Sequence, residues 1–166
     1  MNVQRIVTYP AAVLRKKSRP IKRFDDHLAR LVDEMFEVMG EGDGIGLAAP
    51  QIGKSKKVVV VDTMEPGGRH ALVNPRIVWT SKDTEPFKEG CLSLPGVEGY
   101  VIRPSEVRVR AQRWKDGEEL TIHADGMLAR VLQHEIDHLN GVLFVDYLND
   151  QQRVAVEPLL REMEAA

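Results

Sequence analysis

Residues 134–138 read His-Glu-Ile-Asp-His, and no other stretch limits the fold as tightly. On an α-helix, side chains four apart stand one turn above the other. Both imidazoles can therefore reach one ion, with Glu135 placed to accept a proton from bound water. Met127, Val131, His134 and His138 recur at i, i+4, i+7 and i+11, so the histidines extend an apolar stripe. A pair of satisfied core histidines would fit that stripe too, but two imidazoles and a carboxylate on a buried face need partners. Two histidines also fall short of a catalytic metal site, which takes three protein ligands and keeps one position open. His27, His70, His123, Cys91 and many carboxylates are candidates for the third.

Composition narrows the partners. Cys91 is the only cysteine, which excludes an intrachain disulfide and an all-cysteine zinc site and suits a reducing compartment. The 23 Lys+Arg balance 25 Asp+Glu, for a net charge of −2, which argues against binding nucleic acid through bulk charge. No apolar run approaches the ~18 residues of a membrane span. The opening MNVQRIVTYP lacks the apolar core of a signal peptide and the Arg/Ser pattern of a transit peptide, so a cytoplasmic protein is expected. At 166 residues, residues 1–166 are expected to form one domain, with a helix-prone tail over 150–166.

Hydrophobic periodicity predicts a helix over about 25–40, capped by Asp25 or Asp26 and stopped by Gly40. Lys57–Asp62 reads as a strand buried on both sides, and His70–Val78 as a second one interrupted near Pro75. Val107–Trp114 and Glu118–His123 flank the turn dipeptide Asp116-Gly117 as a hairpin. Gly126–Asn140 is helical up to Gly141, a short apolar piece spans Val142–Val145, and Pro158 should restart or kink a terminal helix. Strands and helices mix without β-α-β alternation. The expected class is α+β, with mixed or antiparallel strands packed around a central H-E-x-x-H helix. Six basic residues among positions 15–23 read as a solvated turn around Pro20.

Two further segments carry candidate chemistry. Gly40 to Gly53 holds five glycines and Pro50 and reads as a loop whose backbone passes close to something. Within it, Gly44-Ile45-Gly46-Leu47-Ala48-Ala49-Pro50-Gln51 lacks the Lys-Ser/Thr ending of a phosphate loop, which excludes that mode of nucleotide binding. Its small residues would let a peptide lie against the backbone, and Gln51 offers an amide donor for an oxyanion. A structural turn with a surface glutamine reads equally well from these residues. Cys91 lies in Glu89-Gly90-Cys91-Leu92-Ser93-Leu94-Pro95. It could be a small buried hydrophobe or a thiolate ligand.

Taken together, the Gly44–Gln51 segment, Glu89–Ser93 (E-G-C-L-S) and Gln133–Leu139 (Q-H-E-x-D-H-L) resemble peptide deformylase in composition and order. The likeness runs from Ile6-Val7-Thr8-Tyr9-Pro10 and Leu14-Arg15 to Gly141-Val142-Leu143-Phe144. The resemblance implies metal ligands at Cys91, His134 and His138 and a general base at Glu135. It implies oxyanion donors at the Gln51 side chain and the Leu92 N–H, and peptide pairing at Gly46. Ile45, Glu89, Met127 and Val131 fall where the family lines a pocket for the substrate's methionine side chain. The reaction so implied is removal of the formyl group from N-terminal formylmethionine of new polypeptides. The cofactor is one divalent ion, Fe2+ by family habit, with Zn2+, Ni2+ or Co2+ as substitutes.

A monomer is expected, with no membrane partner and no sequence-specific nucleic-acid binding. Some family members dock transiently on the ribosome through a basic C-terminal helix. Here the tail sets Arg153 and Arg161 against Asp150, Glu157, Glu162 and Glu164, which argues against that route. Two other readings of the motif are an H-E-x-x-H peptidase and a non-catalytic binding module. Asp137 within the motif and Cys91 favour the deformylase over the peptidase, and the complete ligand, base and donor set gives the binding module no support.

Overall fold

A computed structural model describes residues 5–166. Met1–Gln4, part of the stretch read above for targeting signals, lie outside the described residues. The elements in chain order are α1 (Asp26–Glu41), β1 (Gly46–Ala48), β2 (Val58–Asp62), β3 (Arg69–Thr80), β4 (Thr84–Gly90), β5 (Glu98–Pro104), β6 (Glu106–Arg113), β7 (Glu119–Asp125), α2 (Gly126–Leu139) and α3 (Asp150–Ala165). The architecture is α+β, as expected. A five-stranded antiparallel sheet has the order β1-β2-β3-β6-β7, and β4 and β5 form a separate antiparallel pair.

The four valines of β2 explain the layering. Val58 and Val60 pack with Leu31, Met35 and Val38 of α1, whereas Val59 and Val61 pack with Leu132 and Ile136 of α2. Side chains alternate across a strand, so β2 is apolar on both faces because a helix covers each one. Asp25 caps α1 by accepting the Leu28 N–H at 3.2 Å. A third cluster joins Val101 of β5, Phe144 and Val145, and Val156 and Leu160 of α3. Helix α2 lies between these bodies, and its residues 129–136 are all buried. This all-round burial is what a central helix shows.

Several boundaries differ from the sequence reading. Helix α1 runs through Gly40 to Glu41, with Gly42 as its C-cap. The segment read as a loop contains edge strand β1, paired with β2 from Gly46↔Val61 to Ala48↔Val59, and then a 3₁₀ turn at Ala49–Ile52. Strand β3 is continuous past Pro75, with a register shift between Val73 and Arg76. Asn74, at φ 51°, absorbs the distortion there, and Pro75 has no N–H to give the ladder. The apolar piece after Gly141 becomes a 3₁₀ turn at Phe144–Tyr147, and α3 continues through Pro158.

The β4–β5 pair was not read from sequence. Strand β4 contains Pro86, and all of its residues except Glu89 are exposed. In β5 the inward positions are Gly99, Val101 and Arg103, so a charge breaks the apolar alternation. Gln152 of α3 receives the Tyr100 N–H at 2.5 Å and donates to the Tyr100 carbonyl at 3.0 Å, occupying β5's free edge.

Gly141 joins the end of α2 to the N-terminal segment. Its φ is +74°, and a Cβ there would stand 2.5 Å from the Arg15 carbonyl oxygen. Gly141→Ala therefore combines left-handed strain with a backbone clash, and should cost about 1–3 kcal/mol. Urea unfolding should show a lower midpoint at unchanged slope; an unchanged midpoint would contradict the packing described.

Candidate metal centre and substrate cleft

The helical stripe predicted from sequence places His134 and His138 one turn apart on α2, their ring centroids 5.1 Å apart. Cys91 follows directly after β4, and its Sγ lies 3.4 Å from His138 Nε2. Ligand atoms of Cys91, His134 and His138 all fall within 4.8 Å of one another. A tetrahedral ion with ordinary Zn–S and Zn–N bond lengths holds such atoms about 3.5 Å apart. One thiolate and two imidazoles form a donor set for a borderline divalent metal. Glu135 Oε1 is buried without a hydrogen-bond partner. The residues thus fit a metal ion and the water it would carry.

These groups open onto a cleft of about 800 Å³. Ten of the eleven residues singled out from sequence line it; His138, 1% exposed, stands behind them. Gln51 is held firmly. Its Oε1 accepts the Ala48 N–H at 2.9 Å, which turns Nε2 toward Ser93 Oγ at 3.2 Å and Cys91 Sγ at 3.5 Å. Ile45 stands at the mouth, 40% exposed. Gly46 explains the close approach anticipated from the glycine-rich segment. A Cβ there would lie 2.6 Å from both Glu135 Oε2 and Val131 Cγ1, so β1 reaches α2 only because position 46 has no side chain.

Comparison with known proteins decides the family. The polypeptide deformylase profile matches residues 3–154. The chain belongs to this family. It is 49% identical to a peptide deformylase of Natranaerobius thermophilus over 88% of this chain and 92% of that protein. It is 43% identical to one of Brucella suis over 92% and 89% of the two chains. Among solved structures, the Plasmodium falciparum peptide deformylase in complex with an inhibitor superposes with a TM-score of 0.90 at 40% identity, covering 97% of this chain and 99% of that one.

In this deformylase-family chain, a buried ion network lies behind the histidines, and most of it was not read from sequence. Glu89 accepts from Arg103 Nε at 2.6 Å, Arg103 Nη2 at 3.0 Å and Arg130 Nη1 at 2.9 Å. Its Oε1 lies 2.9 Å from His134 Nδ1. A proton on Nδ1 would be held there, leaving His134 Nε2 as the free ligand atom. Burial alone would raise the Glu89 carboxyl, but the hydrogen bonds from His134 and Arg103 hold it down at about 2. Arg103 also donates to Asp137 Oδ2 at 2.9 Å, and the Tyr147 hydroxyl donates to the same oxygen at 2.9 Å.

Glu89 thus lines the cleft with its carboxylate fully engaged. Burial pushes the Glu135 carboxyl up to about 7, and the same cause holds His138 well below the usual imidazole range. The signal for the network was present in the inward charge of β5 at Arg103 and the buried Arg130 of α2, but only the tertiary fold brings their partners together.

Proposed function

We propose that the chain is a metal-dependent peptide deformylase that removes the formyl group from N-terminal formylmethionine of newly made polypeptides. The observation that carries this reading is convergence. Cys91, His134, the Glu135 carboxylate and the Gln51 amide line one cleft, and the ligand atoms of Cys91, His134 and the His138 behind them lie within 4.8 Å of one another. Cys91, His134 and His138 hold one divalent ion, Fe2+ as in the family's usual state, with Zn2+, Ni2+ or Co2+ able to replace it. When bound, the ion supplies a water whose pKa is lowered toward neutrality.

Glu135 takes the proton of the attacking water and later returns it to the leaving amine. Attack on the formyl carbon places negative charge on the formyl oxygen. The Gln51 amide, fixed by Ala48, donates to that charge, as does the Leu92 N–H, which meets no backbone carbonyl among the described residues. Gly46 pairs with the substrate peptide, and Ile45, Met127, Val131 and the Glu89 wall receive the methionine side chain. One domain spanning 1–166 acts as a monomer in the cytoplasm, with transient ribosome association. No helix among the described residues is long and apolar enough to cross a membrane.

Chelation tests the cofactor assignment. Dialysis against a strong chelator should abolish formate release, and anaerobic Fe2+ or Ni2+ should restore it. Cys91→Ser should lower metal retained after dialysis by about 10-fold or more, since a hydroxyl is the poorer ligand for such an ion. Full activity in metal-free protein, or wild-type metal stoichiometry in Cys91→Ser, would overturn it.

A further inference from the structure

A second cavity, of about 160 Å³, adjoins the substrate cleft. It is close in size to an apolar cavity that takes up benzene. Phe87, Met127 and Arg130 line both spaces, so these three residues stand between them. Pro104, Ser105 and Gly126 line the second cavity and not the cleft. A Cβ built on Gly126 would meet nothing within 4 Å, in keeping with open space beside the start of α2.

The three dividing residues are held with unequal firmness. Arg130 is fixed by its own donors. Nη1 reaches Glu89 Oε2 at 2.9 Å and the Val101 carbonyl at 2.8 Å, and Nη2 reaches the Glu85 carbonyl at 2.7 Å. Phe87 belongs to β4, in register with Val101 of β5, and Arg130 Cζ lies 5.5 Å from the centre of its ring. Met127 has neither kind of tie. It is half-buried in the first turn of α2, against the core beneath the main sheet, and its unbranched thioether turns about three bonds. Of the three, Met127 is the wall that a substitution can withdraw without disturbing the ion network around Glu89.

We infer that Met127 sets the length limit on the side chain of the substrate's first residue, and that the cavity behind it is the space a longer, unbranched apolar side chain enters once that wall is withdrawn. This limit rests on the deformylase reading, which makes the cleft a pocket for methionine. A methionine side chain ends against the thioether of Met127. A side chain longer by about two methylenes runs into it, and a misfitted methylene in an apolar pocket is worth about 10–200-fold. With Met127 cut back, the cleft and the second cavity become one channel, bounded by Arg130 and Phe87 on its sides and by Ser105 at its far end.

The test gives metal-loaded full-length protein two formyl-tripeptides that differ only in the first residue, methionine or 2-aminooctanoic acid. The wild type should favour methionine in kcat/KM by at least about tenfold. Met127→Ala should move that ratio toward the longer chain by at least about tenfold, and Met127→Val should move it in the same direction by less. Ser105→Leu fills the second cavity from its far end. Alone it should leave turnover of the methionine substrate at the wild-type rate, and combined with Met127→Ala it should restore most of the lost discrimination. Calorimetric titration of the two peptides without their formyl group reads the same ratio as affinities, with no turnover needed. Loss of formate release from the methionine substrate in the wild type would therefore count against the deformylase reading alone. Three results would each overturn the role of Met127: equal handling of the two peptides by the wild type, an unchanged ratio in both Met127 variants, or a shifted ratio that Ser105→Leu fails to restore.

Discussion

Exchange of Glu135 for glutamine is expected to lower kcat for formate release by about 10²–10⁴-fold, the usual worth of a positioned general base, with metal content equal to that of the wild type. Glutamine keeps the shape of the side chain, which matters because position 135 is 4% exposed and Oε2 lies against the backbone of β1 at Gly46. No cavity forms and no ligand is removed, so a change in turnover reports on the proton and not on folding. The carboxylate is suited to the task because Oε1 has no hydrogen-bond partner in the folded chain. A committed oxygen would have to break a bond before accepting a proton. Stopped assays at saturating substrate, paired with metal analysis of the same samples, measure the effect. Wild-type turnover in a metal-replete Glu135→Gln protein would move the base to another residue.

The second large effect is expected at Glu89. Its side chain is 4% exposed, with Arg103 at 6% and Arg130 at 9%. Glu89→Ala leaves Arg103 with Asp137 and Arg130 with the carbonyls of Val101 and Glu85, and the cationic charge without its central carboxylate. Breaking a buried pair in this way costs about 3–5 kcal/mol. The same change frees His134 Nδ1 from the oxygen 2.9 Å away, and loss of such an outer partner typically lowers metal affinity about 10–100-fold. Urea unfolding and competition with a chelator read the two consequences separately. Glu89→Gln retains an acceptor for His134 while removing the charge, so it should recover most of the metal affinity and little of the stability. Equal stability of Glu89→Ala and wild type would show that the network contributes nothing to folding.

The residues that could be read from sequence were those whose neighbours are local. Helix α2 was legible because a period near 3.6 carries straight from Met127 to His138, and β2 because four successive valines can be buried only between two layers. Strand β1 was not legible. It is three residues long and begins with a glycine, which ordinarily weakens a strand; its reason for existing is the approach of β1 to Glu135 and Val131, a tertiary fact. The β4–β5 pair was hidden by Pro86 and by Arg103, whose inward charge is intelligible only once it is seen to donate to Glu89. The metal-ligand set stood between these cases. Spacing supplied His134 and His138 and left the third ligand open among several residues. The family resemblance pointed to Cys91, and the fold brings its sulfur to 3.4 Å from His138. The basic segment at 15–23 was readable as exposed, but its junction with Lys54–Lys57 runs through Ser55, Lys57 and Asn74, far away in sequence.

The measurement closest to the central claim is formate release by protein purified without oxygen, with the bound metal quantified in the same sample. Formate should be released from a formyl-Met peptide in proportion to the divalent ion bound at Cys91, His134 and His138, with no cleavage of the same peptide lacking its formyl group. Protein with a full complement of iron or nickel that releases no formate, or that cuts the unformylated peptide internally, would contradict it.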